Sequence, residues 1–138
     1  MNLIRPFLPT LSALSAILIL AAAGCARKQE RHFGEPFSNA PLVPIADLLE
    51  RPGDFYRKPV RVSGTIERQC PASGCWLFLR DAGGRTIRVE LGDTFPTLPQ
   101  FVGGQAEVEG EWVDRGGHFE LIGTRITFRP AGAQEPKP

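Results

Sequence analysis

From residue 60 onward, apolar and polar side chains alternate one by one, and glycine cuts the alternation every few residues. Val60, Val62, Gly64 and Ile66 alternate with Arg61, Ser63, Thr65 and Glu67. Ile87, Val89 and Leu91 alternate with Arg88 and Glu90; Ala106, Val108, Gly110 and Trp112 alternate with Glu107, Glu109 and Glu111. Successive side chains of a strand point to opposite faces, so this period commits each run to a half-buried strand. Trp76 to Arg80 is a further strand, apolar on both faces, and Phe119 to Phe128 is the fifth. Ala82-Gly83-Gly84 and Arg115-Gly116-Gly117 supply hairpin turns. Gly123 marks the expected bulge where the alternating face of the fifth strand switches. The 15 glycines and 13 prolines favour many short elements over long helices.

Five strands with a longer connection between the third and fourth form the pattern of an OB-fold. The expectation is therefore an all-β, five-stranded, OB-fold-like Greek-key barrel with a short N-terminal helix. An SH3-like barrel and a small sandwich are the alternatives. Gly64 and Gly110 fit sharp bends at barrel corners. Ile45, Leu48 and Leu49 have helical spacing, and Pro52-Gly53 is expected to stop that helix. Phe95 to Phe101 is expected to be a loop with one short helical turn.

The chain is long enough for one domain, and its ends lie outside the alternating region. Residues 1–24 read as a signal peptide: Arg5 supplies positive charge, and Leu11 to Ala23 is a 13-residue apolar run, short for a membrane-spanning helix. The run ends in Leu20-Ala21-Ala22-Ala23-Gly24-Cys25, which resembles the lipobox of bacterial lipoproteins. That resemblance implies cleavage before Cys25 and an acyl (palmitate) anchor on it. Ala26 follows the cysteine instead of the Asp that holds such proteins at the inner membrane, which implies the outer membrane, facing the periplasm. Residues 25–41 then read as the lipidated cysteine and a flexible tether, 42–129 as the domain and 130–138 as a disordered tail.

The chain carries 16 basic and 15 acidic residues, three cysteines, two histidines and one methionine. These counts argue against a polybasic DNA binder, a multi-His metalloenzyme and a methionine-rich copper carrier. Cutting before Cys25 removes Arg5 and no acid, so the remainder has no net charge. Zero net charge and export disfavour nucleic acid as a partner, because phosphate contacts supply most non-specific affinity.

With Cys25 consumed by lipid, Cys70 and Cys75 remain, separated by Pro71-Ala72-Ser73-Gly74. In an oxidising compartment such a pair reads first as a disulfide, worth about 2 kcal/mol on the chain-entropy model. The competing reading keeps the thiols free, for a soft metal ion or for disulfide exchange. A zinc site needs four ligands; His118 is the candidate third, although a solvated turn histidine accounts for it as well. Trp76 and Phe78 share one strand face, and Leu77 and Leu79 the other. If the first face is open, Trp76, Phe78, Arg80 and Arg88 form a binding surface where OB-folds stack bases or sugars. If it is closed, the 45–49 helix and the Phe95–Phe101 loop cover it. Glu107, Glu109 and Glu111 read as a solvated acidic edge paired across strands with arginines, worth little each. No nucleophile elbow, phosphate loop or His-Glu-x-x-His motif occurs.

Val60 to Ile66, Cys70, Gly74-Cys75-Trp76-Leu77-Phe78-Leu79, Val102-Gly103-Gly104 and Val108-Glu109-Gly110 together resemble a family of bacterial OB-fold domains of unknown function. That family carries a Cys…Gly-Cys-Trp motif and is often exported or lipid-anchored. The resemblance spans residues 43–128 and implies a fold, not an activity. The leading expectation is a non-catalytic, cofactor-free module anchored in the membrane by lipid, which meets a periplasmic protein or a small ligand.

Overall fold

A computed structural model describes residues 30–131. Cys25, the leader and residues 132–138 lie outside that range. The alternating runs all become strands. After a three-residue strand β1 (Arg31–Phe33) come two one- to two-turn helices, α1 (Ile45–Glu50) and α2 (Pro52–Phe55). The remaining strands are β2 (Pro59–Gln69), β3 (Trp76–Arg80), β4 (Thr86–Glu90), β5 (Gln105–Asp114) and β6 (Phe119–Arg129).

Strands β2, β3, β4, β6 and β5 pair in that order, and β5 returns to β2, so the sheet closes. Among the strand ladders of the described residues, β4–β6 alone is parallel. Counted along the barrel, the order is first, second, third, fifth, fourth and back to the first, which is the topology of the expected OB-fold barrel. The inward residues of each run fill it. Val62, Leu77, Leu79, Val89, Val108 and Leu121 are fully buried. The fifth strand breaks register where expected: Glu109 faces Arg125 but Gly110 faces Gly123, leaving Thr124 as the extra residue. A Cβ on Gly110 would overlap the Ile122 carbonyl, so the bulge needs glycine there.

α1 plugs the barrel with Ile45 and Leu48, while Leu49, the third apolar position, is 42% exposed. α1 ends at Glu50, just before Pro52, as expected, and a second short helix follows at once. Pro52 stands at the first position of α2, where its missing N–H is no loss. The Phe95–Phe101 loop forms no helical turn; Phe101 instead stacks on Phe128 with ring centroids 4.8 Å apart.

The largest difference lies in the expected tether. Residues 31–43 are a strap laid across the outside of the barrel. β1 pairs antiparallel with β6, from Arg31 opposite Phe128 to Phe33 opposite Ile126. Val43 N donates to Arg61 O at 2.8 Å, and Arg61 N to Pro41 O at 2.8 Å. The prolines that suggested a solvated linker instead hold an extended chain that needs few backbone donors. The folded domain thus includes residues 31–41, which the expectation assigned to the tether.

The strap also changes the acidic edge of β5. Glu107 and Glu109 are buried and only Glu111 is exposed. Glu109 accepts from Arg125 at 2.7 Å and from the strap's Ser38 N at 2.8 Å. Glu107 pairs with Arg61 at 3.2 Å and Arg129 at 3.4 Å.

A candidate binding face beside a thiol pair

The outer face of β3 and β4 carries the aromatic residues singled out from sequence. Trp76 and Phe78 lie two residues apart on β3, so both point outward while Leu77 and Leu79 point into the barrel. Their rings meet edge to face, 5.8 Å between centroids. Ile45 and Leu48 of α1 lie in the core, and Phe101 packs against it on Phe128. The Trp76 and Phe78 rings are half-buried, and what lies over them is arginine.

Arg88 stands directly across from Phe78 in the β3–β4 ladder. Its guanidinium lies 5.5 Å from the Trp76 ring centre and 5.9 Å from that of Phe78. Glu90 holds it at 2.6 Å and the buried Glu120 at 3.2 Å. Arg88 is thus a fixed and locally neutralised wall of the face. Arg80 sits at the far end of β3, exposed, with Glu67 at 3.8 Å, and among the described residues it makes no ring contact.

Arg68, one of the arginines clustered along the first three strands, also belongs to the face. Its guanidinium lies 4.2 Å from the Phe78 ring centre, and among the described residues it has no carboxylate partner. The β2 register shifts between Ile66 and Arg68, which sets Arg68 opposite Phe78. Strict alternation from Val60 would have put Arg68 on the barrel side; its charge beside the exposed Glu67 was the only clue to a bulge.

The loop from Cys70 to Cys75 joins β2 to β3 and leads straight into Trp76. Cys70 N donates to Trp76 O at 2.9 Å, and Gly74 N to Cys70 O at 3.1 Å. The β4–β5 connection braces it from outside. Leu98 N donates to Ser73 O at 2.9 Å, and the Gln100 side-chain amide to Cys70 O at 2.9 Å. Leu91 N and Gly92 N both donate to Cys75 O, at 2.8 and 2.9 Å.

This frame brings the two sulfurs to 2.8 Å, with Cys75 Sγ as donor and Cys70 Sγ as acceptor. The thiols are unbonded, at a separation greater than the ~2.05 Å of a disulfide. The hydrogen bond from Cys75, then the backbone N–H of Ser73, pull the Cys70 thiol down to about 6. The same hydrogen bond, with burial, pushes the Cys75 thiol up.

His118 does not join them. It is exposed in the β5–β6 turn, where its carbonyl accepts from Arg115 N at 2.8 Å. Among the described residues no three His, Cys, Asp or Glu side chains gather as a metal-binding group, so the three-ligand set of Cys70, Cys75 and His118 is not assembled.

No family model matches the chain, and no curated protein matches it. Among solved structures, the chain is similar to the hypothetical protein ygiW from E. coli, at 15% identity and a TM-score of 0.49. The match covers 67% of this chain and 98% of that one.

Proposed function

We propose that this chain is a non-catalytic binding module, held at the membrane by lipid on Cys25 and facing the periplasm, whose ligand docks on Trp76, Phe78 and Arg68. One observation carries the reading. The strap runs over β6 and β5, while on the outer face of β3 stands a half-buried aromatic pair beside Arg68, which has no carboxylate partner among the described residues. Edge-to-face rings offer a stacking surface, and Arg68 offers a charge without a carboxylate to displace. A ligand with a planar group and a negative charge suits both. Arg88, already neutralised by Glu90 and Glu120, shapes the site and adds little net charge. A long phosphate backbone therefore finds few free cations here, which speaks against nucleic acid.

Cys70 and Cys75 complete the reading as a disulfide that orders the loop leading into Trp76. The sulfurs already stand close enough that bonding them asks for a shift of under an ångström.

A set of small aromatic carboxylates, screened by thermal shift, tests the face. A binder should raise the melting temperature of the wild type and lose most of that effect in Trp76→Ala and Arg68→Ala. Equal stabilisation of all three proteins would place the binding elsewhere. Retention on single-stranded DNA at low salt, abolished in Arg68→Ala, would instead favour an oligonucleotide.

A further inference from the structure

The two cysteines differ in access and in what surrounds each sulfur. Cys70 is 6% exposed, while Cys75, at the mouth of β3, is half-buried. The bond from Cys75, and after it the backbone amides of Ser73, Cys75 and Ala72, favour a thiolate on Cys70. Such a nest of amides stabilises negative charge. At Cys75 the balance runs the other way: the bond it gives to Cys70, then burial, oppose a thiolate, against one favourable bond from the Ser73 side chain. In exchange motifs the attacking thiolate is generally the accessible one. Here the sulfur best suited to carry charge is the inaccessible one, which fits a leaving group better than a nucleophile.

We propose that Cys70–Cys75 is an exchangeable disulfide, entered from outside only at Cys75, whose co-reactant is the thiol of another molecule. The proposal rests on the bridged state put forward above. An incoming thiolate forms a bond to Cys75 Sγ. The Cys70–Cys75 bond breaks and its electron pair stays on Cys70, within the nest. A second thiolate then attacks the incoming sulfur. Cys75 leaves with the electron pair and takes up a proton, and the two external thiols depart as a disulfide. Two electrons have passed to the pair, and the reverse sequence, with an external disulfide as oxidant, restores the bridge.

The loop supports both states. Its bracing bonds, from Trp76 O, Leu98 N, Gln100 and Leu91 N, involve no sulfur and remain when the bridge opens. Reduction therefore leaves the sulfurs poised to close again.

The test uses the purified full-length chain with glutathione as the small thiol and reduced thioredoxin as the protein thiol. Intact mass after alkylation first reports whether the pair is bridged; an unbridged pair defeats the earlier reading alone. Exchange is then read separately, in variants. With oxidised glutathione, Cys70→Ser, which leaves Cys75, should form the adduct roughly tenfold or more faster than Cys75→Ser. In urea the two rates should converge, because the fold sets the access. Equal rates in the native state, or a faster adduct on Cys75→Ser, overturn the proposal. So does a bridged wild type that neither glutathione nor thioredoxin reduces while the fold is intact. Reduction by either one supports it and identifies which kind of thiol reaches Cys75.

Discussion

Gly74 holds the thiol pair together through its backbone. Its φ is +73°, and a Cβ there would stand 2.8 Å from Leu98 Cβ. Gly74→Ala combines left-handed strain with a clash against the bracing loop, and should cost about 2–3 kcal/mol in urea unfolding. Gly84 has φ +85° but open space around its Cβ position, so Gly84→Ala should cost only the conformational part, about 1–2 kcal/mol. A second consequence concerns protons. The folded Cys70 thiol ionises near 6 where the ordinary value is 9. Folding therefore favours its thiolate: the stabilisation is absent below about pH 6, grows as pH rises from 6 and is complete above 9. Cys75, pushed the other way, begins to subtract above 9. Urea midpoints of the reduced protein should rise from pH 6 to 9 relative to reduced Cys70→Ser, and the oxidised protein should show no such rise. Parallel curves for the two reduced proteins would contradict the shifted thiol.

At the scale of elements, the strap divides charges that look alike in sequence. Glu109 is buried against Arg125, and Glu111, two residues on, is exposed. Removing one partner of a buried pair leaves the other uncompensated. Glu109→Ala should cost about 2–3 kcal/mol, below the fully buried case because Arg125 still reaches water. Glu111→Ala should stay within about 0.5 kcal/mol. Similar losses for the two would mean that the strap does not seal β5. The strands themselves were legible because alternation is local: β3 runs over the expected residues, and β2, β4, β5 and β6 differ from expectation by a few residues at their ends. Gly123 announced its bulge in the same way. The strap was not legible. Arg31–Phe33 is too short to show a period, and its pairing depends on Phe128 and Ile126, nearly a hundred residues away. The candidate face was half legible. Trp76, Phe78 and Arg88 follow from alternation, whereas Arg68 depends on a register shift that no period reveals. The nearness of Cys70 and Cys75 was readable from their spacing, but the inequality of their thiols depends first on the hydrogen bond from Cys75 to Cys70 that the folded turn sets, and then on its backbone amides.

For the molecule as a whole, the strap decides how far the barrel stands from its proposed anchor. Had the domain begun at residue 42, the chain from Cys25 would have been long enough to let it roam. With β1 starting at Arg31, residues 26–30 are all that separate the anchor from the sheet. Fully extended, they reach roughly 18 Å. Glu30 is itself tied to Arg129 at 2.7 Å, which shortens the free span further. A lipidated Cys25 would therefore keep the barrel against the headgroups, with little freedom to turn its aromatic face. A protease site placed at residues 26–29 measures this. In membrane-bound protein it should be cut much more slowly than the same site in Cys25→Ala, which should remain soluble. Ten Gly-Ser residues inserted after Gln29 should restore cutting on the membrane, and detergent should remove the difference. Equal cutting in the bound and soluble forms, without the insertion, would show a barrel that stands clear of the bilayer. Cys25→Ala found in the membrane fraction would remove the anchor from the argument altogether.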